Sequence, residues 1–385
     1  MDFQPTDDQE NLRDTVRSVL RKACPPALVR QVFEAKEGEH DPRRGRLWRQ
    51  MVDLDWPALA IPERFGGLGL GFAELCLVVE ELGRVVAPSP FLATVTQFAA
   101  VVRESAPPEK AEPFLRGVAE GSCTGALAVA EPGAGRWDPA AVRSTARRRG
   151  AGWTLTGRKA WVADGASADE IAVVARSEGS AGLEGLGVFV VAGGAAPARP
   201  VPVIDPTLPL AEVDLDGVVV PPERVLVEPG DPSAGPSIRR ALEEATVCMA
   251  VSTNGCCRAI FETTLQYAKD REQYGRPIGS FQALKHRLVE MYMSLERSTA
   301  LATFAALTVA EEDSRRQVAV SMAKAAAGDC QRLLVQDGLQ LHGGIGYTWE
   351  NDLHMFLKRA KAGDFLFGTA ASHRAALVRE LGLRR

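Results

Sequence analysis

At 385 residues, with 46% hydrophobic and 24% charged side chains, the chain has the make-up of a soluble globular protein long enough for two or three domains. A net charge of −4 and a pI near 5.9 weigh against a broad nucleic-acid surface, so the basic clusters Arg43-Arg44 and Arg147-Arg148-Arg149 read as solvated loops. The acidic, polar start MDFQPTDDQENL is no secretory signal, and no apolar run reaches the roughly eighteen residues of a membrane span, so a cytoplasmic location is expected.

Residues 1–121 carry helical periodicity. Thr6 can cap a first helix, Asp7 and Asp8 suit its positive end, and Leu12, Val16, Val19 and Leu20 recur on one face. Further helices are predicted over 27–36, 44–54, 71–84, 90–104 and 108–119. Gly67, Gly69 and Gly71 have no βαβ unit around them and read as a turn into a helix rather than a nucleotide fingerprint.

Over 122–231 the pattern changes to short apolar runs broken by Gly, Pro and Asp. Strands are predicted at 126–130, 153–156, 160–163, 170–175, 187–191, 201–204, 211–215 and 218–220, a spacing that suits an antiparallel barrel or sandwich. Glu228–Pro236 reads as a linker. From 232 to 385 long helical patterns over 237–269, 280–311, 313–340, 350–362 and 368–383 predict an antiparallel bundle. The fold class expected is therefore α+β: helices, strands, helices.

The seven cysteines form an odd set without CxxC spacing and read as reduced, buried thiols; the five histidines stand singly, so no metal site is expected. The chemistry concentrates in Tyr267–His286 (YAKDREQYGRPIGSFQALKH) and Gln340–Trp349 (QLHGGIGYTW). Both are donor-rich helix ends. Exposed amides at a helix start, the Arg271 guanidinium and the unhindered Gly343-Gly344 backbone are together suited to a pyrophosphate, which points to a dinucleotide. Arg271 as a cation serving only its helix dipole is the plainer alternative.

These stretches, with Ile61–Gly67 (IPERFGG), Glu131–Gly135 (EPGAG) and Gly157–Gly165 (GRKAWVADG), resemble the acyl-CoA dehydrogenases in family order. The resemblance implies an N-terminal helical domain, a middle β-barrel and a C-terminal four-helix bundle, with FAD between barrel and bundle. In that family a glutamate takes the α-proton of an acyl thioester while hydride leaves the β-carbon for flavin N5. It further implies that Trp161 packs on the flavin ring, and that Arg271, Gln273, Tyr274, Gln340, Gly343 and Gly344 grip the FAD of a neighbouring subunit in a homo- or heterotetramer. Electron-transferring flavoprotein is the implied acceptor. Trp161 as a barrel-core aromatic is the alternative.

Several positions depart from the family pattern: Ala163, Ala130 and Arg136 replace residues whose side chains donate near the flavin. Leu366-Phe367-Gly368-Thr369 stands where most members carry a Tyr-Glu-Gly-Thr segment with the base, and Phe367 cannot accept a proton. Some branches place the base on the first long bundle helix. There the ungapped position is Ala245, beside Glu244 and Glu243, and the apolar run that follows suits Glu244 to the role; Glu243 and Glu244 as solvated acids near the helix start is the alternative. The motifs are also similar to those of a bacterial branch with subunits of heterotetrameric steroid-side-chain dehydrogenases. Three readings follow: an acyl-thioester dehydrogenase, on CoA or a carrier protein, with Glu244 as base; a catalytically silent subunit completing a partner's FAD site; or an oxidase or dehydratase-like relative.

Overall fold

The first helix starts where its sequence caps it. The Thr6 hydroxyl accepts from the Gln9 amide, the Gln9 side chain accepts from the Thr6 amide, and Val16 and Leu20 are buried on the inner face. The computed structural model describes residues 4–35, 42–133 and 137–383, without the side chains of 42–44. The Arg43-Arg44 side chains and the stretch 134–136, which includes Arg136, lie outside the described residues.

The leading helices are α1 (Asp7–Ala23), α2 (Pro26–Glu34), α3 (Pro42–Asp53), α4 (Phe72–Arg84), α5 (Phe91–Ala93), α6 (Ala99–Ser105) and α7 (Pro108–Ala119). The single helix predicted over 90–104 is divided by a π-helical turn, Thr94–Phe98. That turn seats the first strand. The Thr94 hydroxyl accepts from the Gly125 amide at 3.1 Å, and a Cβ on Gly125 would stand 2.1 Å from the Phe98 ring.

The strands are β1 (Gly125–Ala128), β2 (Thr145–Arg149), β3 (Gly152–Thr156), β4 (Arg158–Ala163), β5 (Glu170–Ser177), β6 (Leu186–Ala192), β7 (Ala198–Val201), β8 (Leu210–Asp214), β9 (Val218–Val220) and β10 (Val225–Val227). A large sheet runs β10-β6-β5-β2-β3-β9 with β1 beside β5, and a three-stranded sheet runs β4-β8-β7. The all-antiparallel expectation needs correction, since β1 and β2 both pair with β5 in parallel. Arg147–Arg149, expected in a loop, lie in β2 with their side chains exposed. Pairing with β3 holds them, and Arg148 sits over the Trp153 ring and 3.1 Å from Glu228. The strand expected at 201–204 falls at Ala198–Val201, because Pro202 cannot donate to a ladder and Ile204 is 55% exposed.

After the sheets come α8 (Ala234–Asp270), the two-strand hairpin β11 (Glu272–Gln273) and β12 (Arg276–Pro277), then α9 (Gln282–Ala310), α10 (Arg316–His342), α11 (Leu353–Phe365) and α12 (Ala370–Glu380). α8 is the common spine, packing on α4, α6, α9, α10 and α11. Its approach to α4 rests on two glycines. A Cβ on Gly83 would lie 2.1 Å from the Ser252 carbonyl, and one on Gly255 2.0 Å from the Glu80 carbonyl, so the two backbones meet with nothing between them. Arg359, 3% exposed, ties the layers together. Its Nε donates to Asp205 at 2.6 Å, and its Nη2 donates to the Thr207 and Ala87 carbonyls. The seven cysteines are free thiols, six of them buried. Among the described residues no helix is long and apolar enough to cross a membrane.

Candidate active site

One end of the bundle carries the residues that the sequence suits to a pyrophosphate. α8 stops at Asp270, and Arg271 takes extended geometry, its amide bonded to the Tyr267 carbonyl at 2.9 Å. The chain then reverses through Tyr274 and Gly275, both at positive φ, and returns so that the Ile278 amide meets the Arg271 carbonyl at 2.8 Å. Tyr267 stacks on His342 with ring centroids 4.4 Å apart and lies 3.4 Å by its hydroxyl from the His342 carbonyl, which brings the end of α8 to the end of α10. Immediately after His342, Gly343 (φ 61°, ψ −144°) turns the chain, and a Cβ on Gly343 or Gly344 would touch nothing within 4 Å.

The folded chain therefore puts Arg271 and the Gly343-Gly344 bend at one end of the bundle, 72 residues apart in sequence. Among the described residues the exposed Arg271 guanidinium has no hydrogen-bond or ion-pair partner. A free guanidinium and an open glycine backbone at one bundle end suit a pyrophosphate, so these residues could hold an FAD. Gln340 is exposed at the same helix end, Gln273 turns its amide to the Glu272 carbonyl, and Tyr274 is 93% exposed on the hairpin.

On the sheet side, Trp161 sits at φ 53° where the β4–β8 register slips between Lys159 and Val162. The bulge turns it out of the barrel core, half-buried and edge-on to Phe365 at 5.5 Å. Behind it lies a charged pair not anticipated from the sequence. Lys159, fully buried, donates to Glu131 Oε1 at 2.7 Å, and Glu131 also accepts from the Ser144 and Arg143 amides. Burial pushes the Lys159 ammonium down to about 8 against the pull of Glu131. Burial also works against the Glu131 charge, but Lys159 and the Ser144 amide outweigh it and hold the carboxyl low. A lysine at an inward position of a strand was the one signal in the sequence.

The turn that carries Phe367 is firmly braced. Phe367 (φ 58°) and Gly368 (φ 100°) both take left-handed geometry, and Phe367 is 5% exposed with its ring 4.8 Å from that of Trp137. Lys324, 1% exposed, donates to the carbonyls of Gly363 (2.9 Å), Asp364 (3.0 Å) and Gly368 (2.7 Å), and its ammonium is driven down to about 7 by burial. His373 Nε2 lies 2.9 Å from the Phe367 carbonyl, an acceptor only, so Nε2 carries the proton and Nδ1 faces the Ser321 hydroxyl.

The two glutamates on α8 diverge. Glu244 is 3% exposed; both its oxygens accept from Arg103 Nη2 at 2.6 Å, and Arg240 Nη1 lies 3.0 Å away. Glu243 meets Arg316 Nε at 2.8 Å through one oxygen while the other has no partner among the described residues, and burial raises its carboxyl against the opposing Arg316. Glu244 thus looks toward α6 and Glu243 toward α10, whereas Met249 and Thr253 of the same helix meet α11 at Gly363.

Helical, sheet and helical parts follow one another along the chain, with an open glycine bend at one end of the bundle. Comparison with known proteins gives this architecture its class. Models of the acyl-CoA dehydrogenase N-terminal, middle and C-terminal domains match residues 6–122, 126–216 and 236–382. The chain belongs to the acyl-CoA dehydrogenase family, whose members are FAD-dependent oxidoreductases. It is 31% identical over 357 residues to the acyl-CoA dehydrogenase IpdE2 of Mycobacterium tuberculosis, covering 92% of each chain. Among solved structures it superposes on a glutaryl-coenzyme A dehydrogenase–glutaryl-CoA complex with a TM-score of 0.90 at 26% identity, covering 100% and 98% of the two chains. It also matches the ChsE4-ChsE5 complex of M. tuberculosis with a TM-score of 0.88 at 26% identity, covering all of both chains.

Proposed function

We propose that this chain serves FAD-dependent α,β-dehydrogenation of an acyl thioester of the acyl-CoA class, as the subunit of a heteromer that supplies the dinucleotide grip and not the base. The observation that carries this reading is the buried Phe367 on Trp137 at the place where the resemblance puts a glutamate. When bound, FAD would supply the hydride-accepting chemistry. Arg271 would neutralise pyrophosphate charge, and the amides at Gly343 and Gly344 would approach the phosphate closely because no side chain stands in front of them. Trp161 would offer a flat apolar wall. The base would come from a partner subunit, and electron-transferring flavoprotein would take the electrons.

A second reading keeps Glu244 as the base in this chain, supported by its burial on α8 one residue from Ala245. It requires both Arg103 and Arg240 to release the carboxylate when substrate enters. An anaerobic titration with acyl-CoA separates the two. The chain alone should bind little FAD and show no bleaching, and co-purification with an acyl-CoA-dehydrogenase-like partner should raise flavin content. A yellow homomer bleached by acyl-CoA, with bleaching lost in Glu244→Gln, would establish the second reading in place of the first.

A further inference from the structure

Away from the redox site, α1, α4, α8 and α9, with Gln4 and Pro5 before α1, line a partly open cavity of about 130 Å³. Its α8 wall is Val251 and Asn254, on a different face from Met249 and Thr253, which meet α11. The reciprocal glycines Gly83 and Gly255 bring α4 and α8 into backbone contact, so the cavity is framed by fixed helices. Ala73, Leu77, Ala302 and Ala306 contribute an apolar lining.

Among the described residues, three of this lining each keep a buried polar atom without a partner: Arg13 Nε, Asn254 Nδ2 and Thr299 Oγ1. Asn254 is 2% exposed and its Oδ1 is already used by the Ser298 hydroxyl at 2.6 Å. An unmet buried donor costs about 1–3 kcal/mol, and three around one cavity form a polar demand that the described residues do not meet. Arg13 and Asn254 can only donate through these atoms, and Thr299 can donate, so the guest must accept. Arg13 carries a permanent charge, while burial works against the charge of the neighbouring Glu80, although Arg13 itself pulls the other way. The space corresponds to about four water-sized groups, or roughly four to six non-hydrogen atoms with an apolar end.

We propose that this cavity is a binding site for a short-chain carboxylate of two to four carbons, its oxygens taken by Arg13, Asn254 and Thr299 and its alkyl end laid on the alanines of α4 and α9. The test is a titration of the full-length purified protein, in whatever flavin-loaded assembly it forms, with sodium acetate, propionate and butyrate. Sodium chloride at equal ionic strength is the reference, and the readouts are equilibrium dialysis of isotope-labelled carboxylate and thermal unfolding. One saturable site per chain and a rise in unfolding midpoint beyond that with chloride are expected. Arg13→Met and Thr299→Val should each weaken binding by about tenfold or more while circular dichroism and flavin content stay unchanged. No saturable binding up to about 100 mM, which would leave the cavity to water, overturns the proposal; so does a chloride effect of equal size, or wild-type affinity in Thr299→Val. The Thr299→Val result stands by itself should Arg13→Met fail to fold.

Discussion

The ring of Trp137, from the segment between β1 and β2, lies 4.8 Å from the ring of Phe367, from the turn between α11 and α12, at an interplanar angle of 42°. This contact joins sheet and bundle through two apolar side chains where the family resemblance places a carboxylate. Installing the carboxylate alone should therefore damage the fold before it creates a base. Phe367→Glu is expected to lower stability in urea by about 2–4 kcal/mol, because a charge would be buried against an aromatic ring without a partner. An unchanged urea midpoint together with new substrate-driven bleaching would show that the pocket was already shaped for a base.

The turn beneath Phe367 should make stability sensitive to acid. Burial lowers His373 to about 4 from an ordinary 6.5, with the Phe367 carbonyl opposing and Lys324 assisting the shift. The unfolded chain then binds a proton that the folded chain refuses between pH 6.5 and 4, so stability should fall as pH drops through that window. His373→Asn should flatten this part of the urea-stability profile. A wild-type profile that is level from pH 6.5 to 4, or one unaltered in the variant, would remove His373 from the account.

Arg271 should matter for cofactor retention and little for stability. Its guanidinium is exposed and has no partner among the described residues, so Arg271→Ala leaves nothing buried and unpaired. Loss of a charge-assisted contact to a pyrophosphate is expected to weaken FAD binding by about tenfold to a hundredfold in the assembled protein, read from the flavin absorbance left after dialysis. Equal flavin retention in the variant would return Arg271 to the role of a helix-end cation.

The crossing of α4 on α8 should be intolerant of a single methyl group. Gly255→Ala places a carbon 2.0 Å from the Glu80 carbonyl, which only a shift of one backbone can relieve. A cost of about 1–3 kcal/mol is expected from overpacking, measured by chemical denaturation, against no loss for the control Gly45→Ala, where a Cβ would meet nothing within 4 Å and the backbone is helical. Equal stability of wild type and Gly255→Ala would mean that the helices cross less tightly than these distances state.

Sequence was enough to place the long helices, because the predicted stretches are long runs without an interior proline: α8 and α10 emerge close to the predicted 237–269 and 313–340. The Thr6 cap, the Gly/Pro reversal at 275–279 and the Gly343 bend were legible for a related reason, each being decided by a few consecutive residues whose own backbone preferences set the conformation. Local pattern could not show that β1 and β2 run parallel to β5, that Trp161 sits on a bulge, or that Lys159 finds Glu131 28 residues away, since partners distant in sequence settle all three. The same holds for Glu244. Its type and helix were visible in the chain, but Arg103 reaches it from 141 residues away, and only the folded arrangement of α6 against α8 determines that its oxygens meet a guanidinium.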